Sequence, residues 1–158
     1  MADQTAKTPL IQLNATQFQG ATALAYNLYE QGKMREAETL FAGLSVMNPQ
    51  SYYGFAGLGA VALAKRPPDL DSAYKSLSEA AQLNPNDTSV QANLGETLLR
   101  QGKIDEAKTH LEKCFALDPG HNDPGANRAR AIVGGLNIIA HQLESRLQAQ
   151  SKPAAKAS

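Results

Sequence analysis

Apolar residues recur along this chain at spacings of three and four, interrupted at intervals by glycine and proline. The pattern is cleanest from about 88 to 119. Leu94 and Leu98 lie four apart on one face of a predicted helix, and Ala107, Leu111 and Cys114 form a matching stripe on the next. Gly102 falls between the two, where a glycine tolerates the left-handed conformation that ends a helix. Gly95 and Ala107 are small where two helix backbones would approach closely.

The same arrangement is written more than once. "LAYNLYEQGKMREAETLF" (Leu24 to Phe41) and "LGETLLRQGKIDEAKTHL" (Leu94 to Leu111) agree at eight of eighteen positions. Pro49, Pro85 and Pro119 each close a helical pattern, 36 and then 34 residues apart. The residue before a proline is pushed out of the helical region, so these steps end helices. A period of about 34 residues is the mark of stacked helix–turn–helix units. The units span about 16–49, 52–85 and 88–119, and "KRPPD" lengthens the turn of the second by two residues. "TQFQ" (Thr16 to Gln19) fits a capping box at the start of the first helix. A final amphipathic helix, about 125–149, puts Ile132, Leu136, Ile139, Leu143 and Leu147 on one side, as a cap over the array's end. Residues 1–15 and 150–158 are expected to be flexible tails.

Composition narrows the function more by exclusion than by indication. Lys+Arg and Asp+Glu number 15 each, so no overall field favours nucleic acid or an anionic membrane. No apolar run reaches the eighteen or so residues that a membrane span needs. A single cysteine and an N-terminus without a basic-then-apolar signal point to a cytoplasmic protein. One cysteine and three scattered histidines assemble no metal site, and neither a cofactor nor an enzyme is expected. "GLGA" lies within a helical pattern rather than after a strand, so it is no phosphate loop. Cys114 reads as a buried packing thiol and His110 as part of a solvated face.

The set Leu24, Ala25, Leu28, Ala37, Phe41, Leu44 and Pro49 resembles the tetratricopeptide repeat. So does Leu58, Gly59, Ala73, Leu77, Ala80 and Pro85, and so does Leu94, Gly95, Leu98, Ala107, Leu111, Cys114 and Pro119. The resemblance implies an all-α, right-handed superhelix of three such repeats plus a C-terminal capping helix. A narrower resemblance rests on Leu24, Ala25, Tyr26, Tyr29, Gly32 and Lys33, on Gly57 to Ala60, and loosely on Glu96, Leu98 and Leu99. These are similar to the class II, or translocator, chaperones of bacterial type III secretion. That family implies a cytoplasmic, non-enzymatic chaperone. Its concave groove would hold an extended apolar segment of a secreted translocator, and a homodimer stays open.

In helix–turn–helix solenoids the first helix of each pair lines the concave face. With Leu24 and Leu28 packed inward, Tyr26, Tyr29 and Glu30 turn toward that groove. Tyr53, Ala56, Ala60, Leu63 and Ala64 follow in the second unit, and Ala92, Glu96, Leu99 and Arg100 in the third. The expected groove is aromatic at one end, small and apolar in the middle, and of mixed charge at the other. Tyrosines combine large contact area with a hydroxyl and are common in binding hot spots. Half-buried helical tyrosines are as often packing residues, so each position also has a purely structural reading. A clamp for a chain-terminal carboxylate is disfavoured, because only Asn93 among Gln19, Ala23, Ser89 and Asn93 suits it. The competing reading is a structural scaffold that assembles through its convex face or through Ile132, Ile139 and Leu143.

Overall fold

The structure, a computed structural model, describes residues 12–151. Among the described residues there are seven helices and no strand: α1 (Ala15–Glu30), α2 (Met34–Met47), α3 (Tyr52–Ala64), α4 (Leu70–Leu83), α5 (Thr88–Arg100), α6 (Ile104–Leu117) and α7 (Pro124–Ser151). Each helix packs against the next; α1, α3 and α5 also touch in a row, and α7 lies against both α5 and α6. The N-terminal tail expected for 1–15 lies outside the described residues as far as residue 11. Ala15 is already helical, and α7 runs to Ser151 before the chain leaves the described region.

Local chemistry accounts for the ends of these helices. The capping box opening α1 is Asn14 with Gln17, two residues before the predicted Thr16–Gln19. The Asn14 side chain accepts from the Gln17 N–H at 2.9 Å, and the Gln17 side chain accepts from the Asn14 N–H at 3.0 Å. Asparagine caps at least as well as threonine, and here it also supplies the reciprocal pair. Asp69, Asp87 and Asp123 cap α4, α5 and α7 without the reciprocal bond, their side chains accepting from the N–H groups of Ser72, Val90 and Ala126, and Asp123 is followed by proline at the first helical position. Gly32 and Gly102 have φ of 76° and 79°, the left-handed turn that joins α1 to α2 and α5 to α6.

The stacking depends on one large side chain per unit meeting a glycine. Phe41, Leu77 and Leu111 are buried at corresponding places on α2, α4 and α6. A Cβ on Gly57 would stand 2.1 Å from the Phe41 ring, one on Gly59 2.4 Å from Leu77, and one on Gly95 2.7 Å from Leu111. Gly54 would meet the Ser45 backbone at 2.5 Å. The glycines of "YYGFAGLGA" are therefore set by close packing. They offset the cost of glycine within a helix, about 1 kcal/mol each. Central α3 has neighbours on several sides, and Gly54, Ala56, Gly57, Gly59, Val61, Ala62 and Leu63 are all buried.

Two expectations are corrected at the ends of the array. Leu24 is 52% exposed, whereas its counterpart Leu94 is 2% exposed. Leu94 packs in the core that α3 and α4 share with α5, and no described helix precedes α1 to do the same for Leu24. The terminal helix caps the array with its first turns only. Ala126 and Ala129 are buried and Ile132 packs beside them, but Leu136, Ile139, Leu143 and Leu147 are all exposed. At 28 residues α7 is about 42 Å long at 1.5 Å per residue, twice the length of α5, and outruns the body it covers. No described helix is long and apolar enough to cross a membrane.

Candidate peptide groove

The inner ends of α1, α3 and α5 enclose a groove of about 670 Å³, closed on one side by the turn 65–68 and reached at its far end by α7. Tyr29 stands on one wall, Ala60, Leu63 and Ala64 form the floor, and Asn93, Glu96 and Arg100 make the opposite wall. The helical spacing of three and four places each set on one stripe. Six of the predicted residues, Tyr29, Ala60, Leu63, Ala64, Glu96 and Arg100, are thus brought together.

The others divide. Tyr26 packs edge-on against Phe41, with ring centroids 5.0 Å apart at 72°, and lies within electrostatic reach of Tyr53 and Asp87. Burial, then those neighbours, push its hydroxyl up to about 12. Tyr53 stacks on Tyr52 at 4.3 Å and lines a separate depression with Phe18 and Met47. Leu99 is half-buried beside α7. Glu30 is exposed on the last turn of α1, away from the groove lining. Ala56 and Ala92 were expected in the groove, but they lie in the core, 7% and 0% exposed, because α3 and α5 turn these positions toward neighbouring helices.

The charged wall is a cluster. Glu96, with its side chain only 14% exposed, accepts from Arg100 at 2.7 Å and from Arg128 of α7 through its other oxygen. Lys65 is engaged by Glu38 at 2.8 Å, while Arg66 has no ion-pair partner among the described residues. Arg128 was not foreseen. Its run "ANRARA" reads as the polar side of a cap, and periodicity does not say which neighbour that side meets. The lengthened turn "KRPPD" was visible as an irregularity, and Arg66, Pro67 and Pro68 all border the groove.

Of the reactive side chains elsewhere, Cys114 and His110 are engaged by their surroundings. Cys114 is fully buried, and burial pushes its thiol up to about 11, so it is protonated at neutral pH. His110 is corrected from a solvated position to a half-buried one. Its Nδ1 lies 2.7 Å from Gln91 Oε1, and Gln91 in turn donates to the Pro85 carbonyl at 2.8 Å. Because the Gln91 amide nitrogen is committed to Pro85, its oxygen faces the ring and Nδ1 carries the proton. Among the described residues no group of three His, Cys, Asp or Glu could hold a metal.

The tetratricopeptide repeat family model matches residues 68–132. Three helix pairs, two joined at left-handed glycines and one through the turn 65–69, each with a large residue seated on a small one, complete the pattern. This is a tetratricopeptide-repeat fold. Over 89 residues the chain is 33% identical to "Low calcium response locus protein H" of Yersinia pestis, covering 56% of this chain. It spans about half the length, 52%, of the curated relatives it matches. The type III secretion translocator chaperone SycD of Yersinia enterocolitica is similar in structure, with a TM-score of 0.64 at 25% identity, covering 77% of this chain and 91% of that one. PcrH, known from Pseudomonas aeruginosa, was solved in complex with the chaperone-binding region of PopB. It superposes with a TM-score of 0.65 at 26% identity, covering 75% of this chain and 96% of that one.

Proposed function

We propose that this tetratricopeptide-repeat protein is a non-enzymatic, cytoplasmic chaperone that holds an extended apolar segment of a secreted translocator in the groove of α1, α3 and α5. The observation that carries the reading is the groove itself, a concave apolar floor of Ala60, Leu63 and Ala64 beside the ring of Tyr29. An extended chain fits such a trough, and small floor residues leave room for its side chains. The similarity to SycD, and to PcrH in complex with the chaperone-binding region of PopB, supports a translocator as the client class.

Co-expression with a type III secretion translocator tests the reading. Tyr26→Ala/Tyr29→Ala is expected to lose the complex while helicity by circular dichroism survives. Because Tyr26 also packs on Phe41, Ala64→Glu, which changes the groove without touching that contact, serves as the second variant. Retention of the client by both variants would end the groove reading. A second reading, a scaffold assembling through α7, draws on the exposed Leu136, Ile139, Leu143 and Leu147. There, Ile139→Ser/Leu143→Ser would dissolve the complex and the groove variants would be silent.

A further inference from the structure

We infer that the groove does not stop at α5 but continues across the Glu96 cluster onto α7, and that it selects a client with an acidic side chain between two apolar ones. This rests on the peptide-groove reading and specifies its ligand. The main groove and a second, shallower depression share Glu96, Arg100 and Arg128. Beyond that shared cluster the floor becomes apolar again, formed by Leu99, Ile132 and Leu136. A chain lying in the groove would therefore pass from one apolar floor, over a charged sill, to another.

The sill is positive. Three arginines, Arg66, Arg100 and Arg128, border the groove against the single carboxylate of Glu96, since Lys65 is already matched by Glu38. Glu96 takes one guanidinium nitrogen from each of Arg100 and Arg128. A guanidinium has five N–H donors in a planar fork, so both arginines keep donors for a further carboxylate. Their side chains remain 46% and 51% exposed, and Glu96 fixes them side by side at the junction. A lysine at the same place on the client would meet like charge. The trough is open on both sides of the sill, so the carboxylate belongs to an Asp or Glu within the segment and not to a chain end.

The test uses fluorescein-labelled synthetic peptides with leucines at both ends and a central Asp, Asn or Lys, made at a series of spacings, with binding followed by fluorescence anisotropy on the full chain. The Asp series is expected to bind roughly tenfold more tightly than the Lys series, the order of one charge-assisted hydrogen bond. Arg100→Gln/Arg128→Gln should flatten that preference while peptides carrying only the first apolar end bind as before. Leu136→Ser should weaken the two-ended peptides alone. All three positions are half-exposed, so the variants keep the fold, which circular dichroism checks. Equal affinity for Asp, Asn and Lys, or an Asp preference that survives the double glutamine variant, would overturn the inference. Failure of every peptide, one-ended ones included, would instead overturn the peptide-groove reading beneath it.

Discussion

Gly54 of α3 lies so close to Ser45 of α2 that a Cβ on the glycine would stand 2.5 Å from the serine's backbone nitrogen. Backbone cannot rotate away as a side-chain tip can. Gly54→Ala is therefore expected to lower stability by about 1–3 kcal/mol, the usual range for overpacking. Gly43, in the interior of α2, has nothing within 4 Å of the same position. Gly43→Ala should be neutral or stabilising by up to about 1 kcal/mol. Thermal unfolding of the two variants would separate the close approach from generic helix propensity.

The two copies of the repeat motif differ most at a leucine they share. Leu94→Ala, in a buried position, is expected to cost about 2–5 kcal/mol. Leu24→Ala, at 52% exposure, should change stability by less than about 0.5 kcal/mol. Urea unfolding measures both. A large loss at Leu24 would mean that another part of the chain covers α1.

Alkaline pH should weaken the protein through its half-buried tyrosines. Burial raises the hydroxyls of Tyr26, to about 12, and of Tyr52 above the ordinary value of 10. The unfolded chain therefore loses these protons first. Stability from these two groups is intact below pH 10 and falls as the pH rises from there. Tyr26→Phe/Tyr52→Phe should flatten the decline, read by unfolding at stepped pH alongside phenolate absorbance.

A smaller change is expected on the acid side. Burial, then Lys113, lowers His110 below its ordinary 6.5, with Glu106 acting in the opposite direction. The unfolded state thus takes up the proton first. The contribution of His110 is complete above pH 6.5 and declines as the pH falls below it. An NMR titration of the imidazole should give a midpoint below 6.5, and a midpoint above it would contradict the burial of the ring.

Much of the fold was legible because helix-ending chemistry is local. Pro49, Pro85 and Pro119 set the period, and Gly32 and Gly102 marked the turns that prove left-handed. The partners of a helix face were less legible. Leu24 and Leu94 carry the same periodicity, yet among the described residues only Leu94 has a preceding helix to cover it. Ala56 and Ala92 fall on the spacing of groove residues, but close packing of α3 and α5 draws them inward. Arg128 belongs to a helix whose pattern shows an apolar side without saying what its polar side touches, so the ion cluster with Glu96 emerged only from the structure. His110 was misplaced for a related reason: its partner Gln91 is a buried polar residue on another helix, which hydrophobic periodicity does not register.

The groove's role is tested most directly by site-specific photo-cross-linking in the complex with a translocator-like client. A photoreactive residue at position 64, on the floor between α1 and α5, is compared with one at position 108 on the outer helix α6, where Lys108 is exposed. A cross-link to the client from position 64 and none from position 108 is the expected result. Cross-linking from position 108 with none from position 64 would place the client on the convex face and contradict the groove.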